Sequence, residues 1–124
     1  ELYGEIFSSK QITCSAQIPD SPVTIKMNET LATILVTNII KNAFVHSPED
    51  GKVTLTLTEN ELVVENSGDS PLDSSRIFER FYQGSKKEGS TGLGLALAKT
   101  IADRCGMLLT YSYVDGMHRF SVKF

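Results

Sequence analysis

One stretch in the first half of the chain, Asn28–Pro48 (NETLATILVTNIIKNAFVHSP), constrains the fold more than any other. Asn28 can cap a helix, Glu29 favours its first turn and Pro48 stops it, so the stretch predicts one long helix. At ~100° per residue, Leu31, Ile34, Leu35, Ile39, Ala43 and Val45 fall in one wide apolar arc, with Thr33, Thr37 and Lys41 opposite. Two amides break the pattern. Asn38 and Asn42 are four residues apart, so they stack on one side of the helix, in the middle of the apolar arc. A side-chain amide carries an acceptor oxygen and two donor hydrogens, and burying it without partners costs roughly 1–3 kcal/mol. Either both amides are structural, bonded to a neighbouring strand or loop, or their oxygens are aimed at a metal or a polar ligand. The helix alone weighs these readings about evenly.

A chain of 124 residues makes one domain around that helix. A net charge of −3 gives no reason to expect nucleic acid or an anionic membrane as partner. No apolar run approaches the ~20 residues needed to span a bilayer. The start, ELYGEIFSSK, is polar, lacks an initiator Met and does not read as a signal peptide, which predicts an excised piece of something longer. Cys14 and Cys105 suit no metal spacing and read as two reduced cysteines of a cytosolic domain.

Residues 1–10 place Leu2, Ile6 and Phe7 at helical spacing and read as the tail of a helix arriving from an upstream domain. Gln11–Ile18 alternates Ile12, Cys14, Ala16 and Ile18 against polar residues, a strand pattern, and Val23–Met27 reads as a short strand leading into the helix. Lys52–Thr58 and Glu61–Asn66 form a hairpin about Glu59-Asn60. Ser67–Thr91 changes character: it is rich in Gly, Ser, Asp and Lys, with one island, Ile77–Tyr82, that suits a short helix pinning a mobile loop. Long loops of this kind are often lids or binding loops. Gly92–Cys105 predicts a second helix with Leu97, Ala98, Ile101, Ala102 and Cys105 inward, stopped by Gly106. Leu108–Val114 and His118–Phe124 pair across Asp115-Gly116, a strong hairpin signal, with His118 read as a surface residue. Two helices and several mostly antiparallel strands suggest a two-layer α+β sandwich.

The loop enters the second helix through Gly89-Ser90-Thr91-Gly92-Leu93-Gly94-Leu95. Glycines there let backbone approach a ligand, and the free N–H groups and positive helix end favour phosphate. No Walker sequence is present, nor a dinucleotide-binding crossover. Taken in order, four segments say more: NIIKNAFVHSP, VENSG ending at Gly68, IFERFYQGSK and STGLGLALAK. Together they closely resemble the catalytic ATP-binding domain of two-component sensor histidine kinases, which belongs with gyrase, the mismatch-repair L protein and the 90-kilodalton chaperone. The resemblance covers residues 11–124.

That resemblance implies a mixed, mostly antiparallel sheet of about five strands with three helices on one face, and ATP held under a flexible lid. It implies that Asn42 ligates Mg²⁺ and that Asn38 lies near the phosphates, with no residue assigned as certainly catalytic. Asn66 and Gly68 match the adenine motif, and Phe78, Phe81 and Tyr82 the aromatic motif anchoring the lid. Thr91, Gly92 and Gly94 match the phosphate-contacting glycine motif, with Leu93 and Leu95 beside them, and His46 lines the pocket. It also implies a cytoplasmic domain of a membrane-bound sensor kinase, with an upstream dimerisation domain carrying the phosphoacceptor histidine and a response regulator as partners, and no membrane contact of its own. The sequence departs from the family pattern at Asn66 (usually Asp), Ser70 (usually Gly), Val45 (often Lys or Arg) and Gln83 (often Arg). Lys86 and Lys87 can supply the missing positive charge. The leading expectation is a histidine kinase domain. A docking module that has lost transfer is the second. An ATP-hydrolysing relative is disfavoured, because the position where such enzymes hold a general-base Glu is Asn38.

Overall fold

A computed structural model describes residues 12–20, 25–48, 50–79 and 93–124. The elements are β1 (Thr13–Gln17), α1 (Glu29–His46), β2 (Lys52–Leu57), β3 (Glu61–Ser67), α2 (Gly94–Arg104), β4 (Leu108–Val114) and β5 (Met117–Lys123). The strands form one sheet in the order β1-β2-β3-β5-β4. β1 runs parallel to β2, with α1 as the crossover that a parallel pair requires. The other pairings are antiparallel. The α+β sandwich with a mixed five-stranded sheet is therefore as the sequence suggests, with two helices rather than three among the described residues.

Local chemistry sets the element ends. Asn28 Oδ1 accepts the Leu31 N–H at 3.1 Å, capping α1. Ser47, held extended ahead of Pro48 (φ −73°, ψ 137°), ends it. α2 stops in a left-handed Gly106 (φ 73°), with Met107 N–H bonded to Ala102 O at 2.8 Å. Asp115 and Gly116 both have positive φ (52° and 77°), as a two-residue hairpin turn demands.

Strand alternation then sends one set of side chains under the helices. Val64, Phe120 and Tyr111 share one rung, and Leu62, Val122 and Leu109 the next. Onto Val53, Val64, Leu109, Phe120 and Val122 the helices lay Leu35, Ile39, Ala43 and Phe44 from α1, and Ala98, Ile101 and Ala102 from α2. Each large side chain so buried contributes roughly 1.5–3 kcal/mol.

Several expectations need correcting. Ile25–Met27 is not a strand: Ile25 and Met27 pack against the core, and β1 already occupies the side of β2 where a further strand would pair. Of the alternating residues before and along β1, Ile12 alone is buried, because this edge strand is exposed on both faces. Leu31 and Leu97, expected inside, are 37% and 46% exposed. Leu31 precedes the first core position of α1, and Leu97 lies ~100° round the helix from Ala98. The island Ile77–Tyr82, expected as a short helix, is described through Glu79, where residues 74–78 form successive turns: Asp73 accepts the Ser75 N–H on its side chain (3.0 Å) and the Arg76 N–H on its carbonyl (3.0 Å). The expected helical tail in residues 1–10, Phe81, Tyr82 and the rest of the loop to Gly92 lie outside the described residues.

Candidate functional site

The two helices meet at Asn38. Its Nδ2 donates to Ile34 O at 2.8 Å, one turn back, which fixes the amide and turns Oδ1 toward the start of α2. A Cβ on Gly94 would stand 3.0 Å from that oxygen. Glycine at 94 is thus what lets the first turn of α2 close on Asn38. Leu93, before that turn, provides no side-chain cap, and no acidic residue offsets the positive helix end. Asn42, one turn beyond Asn38, is half-buried, and its amide bonds to no described residue. Among the described residues, neither amide oxygen accepts a hydrogen bond.

The end of β3 forms a second cluster. Asn66 is 1% exposed and donates from Nδ2 to Ser67 O at 3.1 Å, leaving Oδ1 as its acceptor. Its register partners are Val53 and His118, and His118 in turn faces Tyr113. Gly68 is tied down by the last hairpin: its N–H donates to Gly116 O (3.0 Å) and its carbonyl accepts from Tyr113 Oη (2.7 Å). Its α-carbon rests on the His118 imidazole, which a Cβ would overlap. His118 is 7% exposed and not a surface residue. Period-two alternation was the signal that could have found it, since His118 precedes Phe120 and Val122 on the inner face.

The other sequence candidates divide. Phe78 meets Phe120 edge-on (centroids 6.3 Å, 72°) with Lys99 Nζ 5.8 Å from its ring centroid, so it pins its loop to the sheet and α2. Val45 is buried, His46 and Leu95 are half-buried, and Leu93 is exposed. Thr91, Gly92, Gln83, Lys86 and Lys87 lie outside the described residues. Among the described residues, no three His, Cys, Asp or Glu side chains converge as metal ligands, and no helix is long and apolar enough to cross a membrane. Cys14 and Cys105 are unpaired, and burial pushes the Cys14 thiol pKa up.

A family model for histidine kinase-, DNA gyrase B-, and HSP90-like ATPases matches residues 27–124. The sensor histidine kinase WalK of Bacillus subtilis (strain 168) is 32% identical over 124 residues, covering 90% of this chain and 20% of WalK. The sensor histidine kinase RppB of Synechocystis sp. is 35% identical over 111 residues, covering 82% of this chain and 24% of RppB. The chain thus spans 20% and 24% of the lengths of these relatives. Among solved structures, the catalytic domain of histidine kinase ThkA superposes with a TM-score of 0.84 at 19% identity, over 99% of this chain and 84% of that one. ThkA in complex with response regulator protein TrrA gives 0.76 at 20% identity, over 99% and 36%. These two likenesses establish the fold, and the sequence matches establish the kinship: the chain is a catalytic, ATP-binding domain of the sensor histidine kinase type and belongs to the histidine kinase-, DNA gyrase B- and HSP90-like ATPase family.

Proposed function

We propose that this domain binds Mg·ATP and presents the γ-phosphate to a histidine on an upstream dimerisation domain of the same protein, for relay to an aspartate on a response regulator. The observation that carries the reading is the meeting of Asn38 with the start of α2, opened by Gly94, with Asn42 one turn further along α1. Amide oxygens beside the N–H groups of a helix start suit a metal–polyphosphate ligand.

The donor set fits Mg²⁺: Asn42 holds an unengaged amide, and this cation takes few protein oxygens, filling its shell from phosphates and water. Bound there, Mg²⁺ would neutralise charge on the phosphates. Asn38 would lie beside them, with backbone N–H groups of Thr91, Gly92 and Gly94. At the other end the Asn66 oxygen accepts from the adenine amino group, and Gly68 lets the base approach. Val45, His46, Leu93 and Leu95 flank the pocket and Phe78 anchors the loop; Lys86 and Lys87 would supply positive charge. Transfer breaks the bond between the γ-phosphorus and the β–γ bridging oxygen and forms one to an imidazole nitrogen, with ADP leaving. The domain contributes orientation and electrostatics. Asn38 cannot take a proton from water, which favours transfer over hydrolysis. WalK and RppB, and ThkA with its regulator, support the partner classes. The same reading places the domain on the cytoplasmic side of a membrane-attached kinase.

The test is the full-length parent with γ-labelled ATP. Acid-labile, base-stable label on the protein, absent in Asn42→Ala, supports the kinase. Nucleotide binding with no label supports the docking module, which the uncharged, buried Val45 favours.

A further inference from the structure

We propose that His118 is a positioning residue for base selection, seating Gly68 so that the Asn66 amide oxygen is aimed at the base. The proposal rests on reading Asn66–Gly68 as the base end of a nucleotide site. Four observations carry it. His118 is the register partner of Asn66 on β5, so both project from the same rung under the helices. The imidazole is gripped: Nδ1 shares a 2.8 Å hydrogen bond with Tyr111 Oη, which also accepts the Leu72 N–H at 2.9 Å. Tyr111 stacks on it at 5.9 Å and 28°, and Tyr113 packs at 5.2 Å. The far edge of the ring supports Gly68, whose N–H and carbonyl the same hairpin holds.

A glycine fixed on three sides cannot drift, and Asn66 is two residues away. A smaller residue at 118 leaves a gap under Gly68 into which the strand end can sink. A side chain at 68 must lift the strand end off the ring. Either change moves an acceptor whose bond is useful only within a few tenths of an ångström. Base discrimination suffers more than overall affinity, because a misplaced acceptor no longer favours a base with an amino group at C6 over one with a carbonyl there.

The experiment measures Kd for Mg·ATP and Mg·GTP in the domain and in Gly68→Ala, His118→Ala, the double variant and Tyr113→Phe, with unfolding curves for each. Gly68→Ala is expected to weaken Mg·ATP about tenfold. Adding His118→Ala should recover most of that loss, because the new methyl enters the space the ring vacates. His118→Ala alone should lower the ATP-to-GTP preference about tenfold, and Tyr113→Phe, which deletes one hydroxyl, about threefold. Loosened structure without a positioning role would weaken both nucleotides alike. A double variant no tighter than Gly68→Ala overturns the proposal, as does an unchanged preference in a folded His118→Ala. If His118→Ala does not fold, Tyr113→Phe decides by the same ratio. No nucleotide binding by the unsubstituted domain overturns the site reading and the proposal together. Binding with an unchanged ratio overturns the positioning role alone.

Discussion

Gly94→Ala should change sign with the residue at position 38. In a helix, Ala is favoured over Gly by up to ~1 kcal/mol, and the backbone at 94 is not among the positive-φ glycines. Propensity alone therefore predicts stabilisation. The new Cβ would stand 3.0 Å from Asn38 Oδ1, inside an ordinary carbon–oxygen separation of about 3.3 Å or more. Asn38 can yield only by disturbing its 2.8 Å bond to Ile34 O, worth ~1 kcal/mol. Otherwise the helices must part, and overpacking costs about 1–3 kcal/mol. The contact wins: Gly94→Ala is expected to destabilise the domain by roughly 1 kcal/mol. With Asn38→Ala the obstacle is gone, and the same substitution should stabilise by up to ~1 kcal/mol, a coupling of about 2 kcal/mol. Urea unfolding of the four proteins, followed by far-ultraviolet circular dichroism, measures it. Equal stabilisation in both backgrounds would show that α2 does not begin against Asn38.

Phe78→Ala should cost about 1–3 kcal/mol in the same assay, through its edge contact with Phe120 and its place under Lys99; Phe78→Leu should recover about half. Asn28→Ala should cost ~1 kcal/mol and Asn28→Asp almost nothing, because the cap needs only an acceptor for Leu31 N–H. The Ser75 hydroxyl, then the Ser75 N–H, hold the Asp73 carboxyl below the usual aspartate range. Any stability this adds is present above the ordinary aspartate pKa and lost as pH falls through the lower folded value. An NMR titration should find that midpoint depressed, and Ser75→Ala should raise it.

The helix caps, the central helix and the Asp115-Gly116 hairpin were legible because each depends on a few adjacent residues. Asn28, Pro48, Gly106 and Gly116 act within one turn of their own position. The polar pair Asn38 and Asn42 was legible as an anomaly, and pairing with Gly94 partly resolves it. What failed depends on distant neighbours. Val23–Met27 has strand composition, but its described part, Ile25–Met27, forms no strand, and β1 already pairs with that side of β2. Leu97 has the right residue type at the wrong angle. His118 was misread because a lone histidine near a hairpin is commonly exposed. Its burial comes from Tyr111, Tyr113 and Gly68, the last fifty residues away in the chain.

Calorimetric titration of Mg·ATP into the domain, with Asn42→Ala alongside, tests the nucleotide site most directly. The site as described predicts micromolar to low-millimolar binding that requires Mg²⁺ and disappears in Asn42→Ala, while the unfolding curve of the variant stays that of a folded domain. Undiminished binding by Asn42→Ala, or no binding by the unsubstituted domain at millimolar nucleotide, would contradict it.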